Sequence, residues 1–341
     1  MIGDRIRMKR RAAGYSLQDL AHYIEKSGTP ITRAALSNYE TGKTAPSEHI
    51  LKAIATVLGT SVEYLEEEVF REIEIRYFSK TDLIPKKWQE LHSFVQLCVE
   101  KFITLNSILE ISSPTVFNAP FKVKACNLDE VETLAEKVRC QLGLGEMPIS
   151  SVCAVLESNG WYVFEVLDAI GKKIVSGIVE KTQTPFLGFF PFDTIDSLRF
   201  EMLQEVGNAY LVSSDMGVLG AATARFADAM LFPRKQVLKE FGEKRENISF
   251  YELALAKQKY GISKMRIAGR LQCLGIISKK TADLLVMDMQ QKGFLTKKNQ
   301  GQDMLYFYEY PESLRMKYLH AEAEGLISAE QNRILQFFQS Y

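Results

Sequence analysis

Caps and breakers cut the first 68 residues into stretches so short that they suit a bundle of small helices and little else. Ile2, Ile6 and Met8 give the first stretch an apolar stripe, and Gly14 ends it. Ser16 can offer its hydroxyl to a free amide at a helix start, and Leu17, Leu20, Ala21 and Ile24 then recur at helical spacing. Gly28 and Pro30 break the chain, Thr32 caps a third helix with Leu36 and Tyr39 turned inward, and Gly42 stops it. Pro46-Ser47 opens a fourth helix through Ile50, Leu51, Ile54, Ala55 and Leu58, and Ser61 caps a fifth that ends at Leu65.

The third helix leaves Arg33, Ala34, Ser37 and Asn38 facing outward. A DNA major groove admits one helix, whose N-terminal residues reach the base edges. Arg33 suits a bidentate pair with guanine, Ser37 and Asn38 offer hydroxyl and amide contacts, and Ala34 suits a thymine methyl. Lys43, Arg10 and Arg11 are expected at phosphates, which position a protein without specifying sequence. Residues 1–62 carry nine Lys/Arg against five Asp/Glu, after which Glu63, Glu66, Glu67 and Glu68 add negative charge at the edge. The whole chain has 42 basic and 42 acidic residues, so attraction to DNA has to be local.

This segment resembles the XRE family of Cro- and repressor-like helix-turn-helix domains, through Leu20-Ala21, Leu36-Ser37-Asn38-Tyr39-Glu40, Gly42-Lys43, Pro46-Ser47 and Leu58-Gly59-Thr60-Ser61. The resemblance implies a lambda-repressor-like five-helix domain over residues 1–68 that binds double-stranded operator DNA. Its expected contact set is Gln18, Thr32, Arg33, Ala34, Ser37, Asn38 and Lys43. Two features depart from the family pattern. The turn between the second and third helices is lengthened over 26–31. Leu17 stands where family members often carry a phosphate-contacting Gln, with Gln18 one place later.

Residues 69–125 read as a helical linker. The stretch 66–76 is charged and helix-compatible, and a longer helix is expected over 85–112, with its proline tolerated at the first position. Trp88, Leu91, Val95, Val99, Phe102, Leu105 and Leu109 form an apolar stripe on it that needs a partner. The partner is either the next domain or the same helix of a second subunit; a homodimer is favoured, because a groove reader gains from two-fold pairing. Residues 112–123, with Pro114 and Pro120, read as a hinge.

From Leu128 the pattern changes to two helices, a small sheet and a third helix. Leu134, Val138 and Leu142 share a helical face, and another helix follows Pro148. Strands are expected at 161–166, 174–179 and 185–190, then a helix over 196–212 with Phe200, Leu203, Gly207 and Tyr210 inward. The order resembles the ImmA/IrrE family of zinc metallopeptidase-like domains over residues 126–245. The matching features are Ala135-Glu136-Lys137-Val138-Arg139, Leu156-Glu157-Ser158-Asn159-Gly160, Arg199-Phe200, Arg225-Phe226-Ala227 and Met230-Leu231-Phe232-Pro233. Tyr260-Gly261-Ile262-Ser263, Arg270-Leu271, Leu274-Gly275-Ile276-Ile277 and Glu324-Gly325-Leu326-Ile327-Ser328 continue it into a helical C-terminal region, 246–341.

The resembled family's catalytic helix carries His-Glu-x-x-His, whose imidazoles bind zinc while the Glu activates metal-bound water. Here that stretch is Gln204-Glu205-Val206-Gly207-Asn208, and the family's further acidic ligand falls at Ala222. The lost ligand positions are Gln204, Asn208 and Ala222, and Glu205 is a vestige. The four histidines are at 22, 49, 92 and 320, none between 93 and 319. Neutral amides are poor substitutes for imidazole at zinc, so a degenerate zincin-like domain without metal, cofactor or chemistry is expected. What such a body keeps is a shape able to hold a peptide or protein effector.

Residues 260–271 look like a second helix-turn-helix. Lys264, Arg266, Arg270, Lys279 and Lys280 are expected to make its surface basic, although packing is favoured over a second DNA contact. The aromatic run 305–310 suits a strand or a partner-facing patch. Five cysteines without a CxxC pair suit reduced, mostly buried thiols, and no apolar signal or membrane-length run is present. The expectation is a cytoplasmic, mostly α protein with a small β-sheet (α+β). Its expected function is that of a sequence-specific transcriptional regulator, a dimeric repressor of a prophage or mobile element. An active metallopeptidase processing a repressor and an antitoxin-like scaffold are the alternatives.

Overall fold

The computed structural model describes residues 2–66, 73–79, 83–111, 123–124, 127–166, 174–190, 192, 194–292 and 307–327. They fall into two units, one of Met1–Val116, Tyr162–Phe190 and Pro311–Tyr341, the other of Phe117–Trp161 and Pro191–Tyr310. This division cuts across the sequence-order segments 69–125, 126–245 and 246–341. Strands expected inside 126–245 join the first unit because their backbone groups pair with a strand that precedes the long helix.

In the first unit, α1 (Ile2–Ala12), α2 (Leu17–Lys26), α3 (Arg33–Glu40), α4 (Glu48–Val57) and α5 (Val62–Glu66) stand where their caps set them. Ser16 and Asp19 close a reciprocal capping box, and Thr32 and Ser47 each accept a hydrogen bond from the amide three residues on. Ile6, Leu20, Ile24, Leu36, Ile54 and Leu65 are fully buried together. A Cβ on Gly3 would overlap the Tyr39 carbonyl oxygen, so only glycine lets α1 cross the end of α3 this closely.

Charged residues 66–76 suggested helix, yet Ile75–Tyr77 is a strand, β1. Its edge pairs with β4 (Ile174–Val179), and β4 pairs with β5 (Thr184–Phe189), both antiparallel; β5 runs parallel to β3 (Tyr162–Glu165). The sheet order is β1-β4-β5-β3. The long helix α6 (Pro85–Ile108) ends short of residue 112, after which Ile111 N–H returns to the Asn106 carbonyl. Its apolar stripe is covered within the chain: Leu91, Val95, Val99, Phe102 and Leu105 are buried with Tyr162, Phe164, Val175 and Phe186 of the sheet. Leu314 and Tyr318 of α15 (Ser313–Ala323) share this core. Phe102 stacks on Tyr162 at 4.4 Å, and Tyr77 meets Trp88 edge-on at 4.5 Å. The stripe is therefore spent on the chain's own sheet and is not a dimer face. Residues 112–122 of the stretch read as a hinge lie outside the described residues.

Where α1 meets α6, charge is buried. Arg5, 1 % exposed, bonds Glu100 Oε1 at 2.9 Å, and Tyr64 OH of α5 donates to Glu100 Oε2 at 2.7 Å. Burial first, then the neighbouring Lys101, pushes Lys9 down to about 7. Burial likewise lowers Lys101 to about 8. The groups facing Lys9 are Arg5 on its own helix, Tyr64 from α5, and Cys98, Glu100 and Lys101 from α6. Both folded values lie below the ordinary 10.5, so between pH about 7 and 10.5 the unfolded chain holds more protons. Stability is expected to rise with pH across that window and to stay lower below it, where both buried ammoniums must be charged. Denaturant midpoints at pH 6 and pH 9 check this, and Lys9→Met should flatten the difference. An equal pH slope in that variant would show that Lys9 is not its source.

In the second unit, α7 (Leu128–Gln141), α9 (Ile195–Tyr210) and α10 (Met216–Leu231) pack together, with α8 (Val152–Ser158) against α9. Val123–Lys124 (β2) pairs in parallel with Leu211–Val212 (β6). A Cβ on Gly207 would sit 3.1 Å from the Phe226 ring, which sets how closely α9 and α10 approach. α11 (Arg234–Phe241), α12 (Phe250–Tyr260), α13 (Lys264–Cys273) and α14 (Lys279–Gln291) follow.

Buried arginines tie this unit together. Arg139 donates to the carbonyls of Gly145, Met147 and Met230. Arg199 bonds the Ile149 carbonyl at 2.6 Å and Glu309 at 2.5 Å. Glu309 also accepts from the amides of Val152 and Cys153 at 2.9 Å each, so within the 305–310 run it is an internal cap for α8, not part of a strand. Leu305 and Tyr306 of that run lie outside the described residues. The basic surface expected over α13 is corrected: Lys264, Arg266 and Arg270 are turned into the unit. Arg266 grips Asp228 at 2.6 and 2.9 Å, Arg270 grips Glu132 at 2.8 and 3.0 Å, and the Lys264 ammonium sits 4.0 Å from the Phe250 ring centre. Of the five, Lys279 and Lys280 are exposed.

Candidate nucleic-acid interface

The expected reading surface lies on the first turn of α3. Thr32, Arg33 and Ala34 are exposed, while Leu36 and Glu40 on the opposite face are buried. Thr32 Oγ1 accepts from Ala35 N–H at 3.1 Å, so its hydroxyl is already engaged as the cap. Ser37 and Asn38 are half-buried, and their carbonyls receive the turn that ends the helix: Thr41 N–H on Ser37 and Lys43 N–H on Asn38. Lys43 itself is exposed just beyond. Seven expected contact residues therefore divide into an open set (Gln18, Thr32, Arg33, Ala34, Lys43) and a partly covered pair, Ser37 and Asn38.

The lengthened turn is held in place. Thr29 is 6 % exposed, and its hydroxyl lies 3.3 Å from His49 Nε2 of α4, which anchors residues 27–32 before the helix restarts. Leu17 packs its side chain against the helical core, leaving Gln18 exposed beside it at the start of α2. The departure from the family pattern thus exchanges a polar first residue for a packing contact.

Arg10 is not a phosphate ligand waiting at the surface. Its Nε and Nη2 bond the two Glu40 oxygens at 2.6 and 2.8 Å, and Nη1 donates to the Tyr15 carbonyl at 2.7 Å. Arg7 also donates to the Glu40 carbonyl. The pair locks α1 to the C-terminal end of α3, a role the sequence hid because nothing marked Glu40 as buried. Arg11, half-buried, is lowered from its ordinary value first by burial and then by Arg10 and Arg7, so positive charge is concentrated at this corner of the domain.

An open cleft of about 470 Å³ runs from this cluster to α6. Arg11, Gln18 and Arg33 line it, as do Lys86 and Gln89 of α6. Sequence reasoning missed Lys86 because it lies more than forty residues beyond the helix it faces.

The positions compared with a zinc site lie on α9 and α10, which pack together. Gln204 Nε2 donates to Thr223 Oγ1 at 3.3 Å, and Asn208 Nδ2 donates to Glu205 Oε2 at 3.2 Å. Ala222, beside Thr223, is fully buried and carries no ligand atom. Both amides act as donors within the protein, and zinc wants imidazole, thiolate or carboxylate, so these residues do not fit that ion. Among the described residues, no group of three His, Cys, Asp or Glu side chains converges. No described helix is long and apolar enough to cross a membrane.

Residues 6–65 match the family model described as Helix-turn-helix. The N-terminal domain is accordingly an XRE-type helix-turn-helix domain. Over 65 residues the chain is 34% identical to the SPbeta prophage-derived uncharacterized HTH-type transcriptional regulator YonR of Bacillus subtilis (strain 168). That match covers 19% of this chain and 56% of the relative, so the chain spans about half the length of the curated relative it matches.

Proposed function

We propose that this protein is a sequence-specific DNA-binding transcriptional regulator, acting in the cytoplasm as a homodimeric repressor of prophage or mobile-element genes. The observation that carries the reading is the outward first turn of α3, with Arg33 and Ala34 exposed on a helix whose other face is locked into the core. Arg10 is paired with the buried Glu40, whereas Gln18, Arg33 and Lys43 are exposed. The name of the Bacillus subtilis relative agrees with regulation and with a prophage setting. Two copies on a symmetric site follow from the small area that one such domain offers. With the α6 stripe buried, the pairing surface lies elsewhere.

Residues 126–245 are proposed as a peptidase-like body without hydrolytic activity that receives a peptide or protein effector. The amide hydrogen bonds of Gln204 and Asn208 support this, since they occupy the positions where the resembled family needs zinc ligands.

Selection of the full-length protein against a random duplex library should enrich a defined site. On that site Arg33→Ala is expected to cost about 1–3 kcal/mol and to relax the preference at one base pair. Lys43→Ala should weaken matched and scrambled duplexes alike. Enrichment of no site, or an Arg33→Ala loss equal on matched and scrambled DNA, would overturn the reading.

A further inference from the structure

We infer that the start of α6 is a second DNA-contacting element, with Lys86 placed to meet a backbone phosphate of the duplex that α3 reads. The inference rests on the DNA-binding reading above and extends it to a helix outside the matched helix-turn-helix region.

Lys86 and Gln89 line the same cleft as Arg11, Gln18 and Arg33. The charges in that cleft do not cancel. Arg10 is neutralised by Glu40 at 2.6 Å, and Glu90, buried in the wall, pairs with Lys87 at 3.1 Å and more loosely with Lys86 at 4.0 Å, one carboxylate between two ammoniums. Asp19 is the nearby acid on α2, and its carboxyl accepts the Ser16 amide at 2.8 Å. That carboxyl is held below its ordinary value by the Ser16 hydrogen bonds first and by Lys86 to a smaller degree, and Lys86 shares the cleft lining with Ser16, Leu17 and Gln18 of the α2 start. Arg11, Arg33 and Lys86 remain as cations on one open depression, and the Lys86 side chain is 67% exposed.

A continuous phosphodiester strand fits this arrangement better than a small enclosed anion. Two walls of the cleft, Gln18 and Arg33, are residues that the duplex itself would cover, and Arg33 and Lys86 are exposed while Arg11 is half-buried. The cleft also continues directly from the exposed turn of α3, so a strand followed outward from Arg33 runs toward α6. Phosphate contacts of this kind add affinity without base preference. They also tie α6, which carries the buried stripe of the first unit, to the bound duplex.

The test uses full-length protein and fluorescence anisotropy on the selected site and a scrambled duplex, across salt from about 50 to 200 mM. Each phosphate contact contributes about 0.9 to the slope of log affinity against log salt. Lys86→Ala should lower that slope by about 0.9, so its deficit is about threefold larger at the low-salt end, equally on both duplexes. Lys86→Arg should restore wild-type binding. An unchanged slope in Lys86→Ala, with Lys43→Ala still weakening both duplexes, overturns the inference and leaves the DNA reading intact. Tighter binding by Lys86→Ala overturns it too, since α6 would then obstruct the duplex. So does protection of the wild type against thermal unfolding by millimolar inorganic phosphate that Lys86→Ala abolishes while DNA affinity is unaffected, which would make this a free-phosphate site. Absence of DNA binding by the wild type and by all variants removes both proposals together.

Discussion

Glu132→Ala is expected to destabilise the second unit by about 3–5 kcal/mol, the range for removing one partner of a buried ion pair. The carboxylate serves two arginines at once: Arg270 through 2.8 and 3.0 Å hydrogen bonds, and Arg225 through a 2.5 Å ion pair. All three residues are buried, so the substitution strands two guanidinium groups away from water instead of one. Arg270 would retain its bond to the Phe232 carbonyl, which offsets only part of the loss. Hydrogen exchange at amides of α7, α10 and α13 is the suitable readout, because a protein of two units need not unfold in a single transition. Glu132→Gln, which keeps an acceptor but not the charge, should fall between the two. Replacing Glu132, Arg225 and Arg270 together by apolar residues of similar volume should recover much of the stability, since a packed apolar cluster carries no desolvation cost. A loss below about 1 kcal/mol in the alanine variant would mean that solvent reaches the cluster.

Glu40→Ala should have an effect of similar size on the DNA-binding helices, again about 3–5 kcal/mol. It leaves Arg10, buried and bonded in bidentate fashion to Glu40, with the Tyr15 carbonyl as its other acceptor. Because the pair joins α1 to α3, the reading helix would lose its seat and affinity for every duplex would fall together. Thermal melting and anisotropy on the same samples separate this from a direct contact. If Arg10 were a phosphate ligand, freeing it from Glu40 would strengthen binding and steepen the salt dependence. Tighter binding by Glu40→Ala would therefore make Arg10 a DNA ligand instead of a tie between α1 and α3.

The helices of the first 66 residues were legible in sequence because each carries its own boundary chemistry. Ser16, Thr32 and Ser47 cap locally, glycine and proline end stretches locally, and an apolar stripe of helical period needs no distant partner to be recognised. The outward position of Arg33 and Ala34 followed from that same periodicity. The residues that misled are those whose state is set by something far along the chain. Arg10 looks like surface charge until Glu40, thirty residues on, is seen to be buried against it. Arg266 and Arg270 look like a basic face until Asp228 and Glu132 arrive from other helices. β1 carried too few residues for a period-two signal, and it is a strand because β4, about a hundred residues later, supplies its hydrogen bonds.

The α6 stripe shows the division most plainly. Its spacing marked a helix with one apolar face, and that much is a property of 24 consecutive residues. Which surface covers the face was open to two answers, and the sheet of β3, β4 and β5, with α15, supplies the one found. Local sequence thus determined the small helices, their caps and the side of α3 that faces outward, since backbone torsions and neighbouring side chains act within a few residues. Tertiary structure decided which charges are buried and paired, what lies against α6, and that Lys86 shares a cleft with Arg33, because burial and pairing energies depend on partners that only the folded chain brings together.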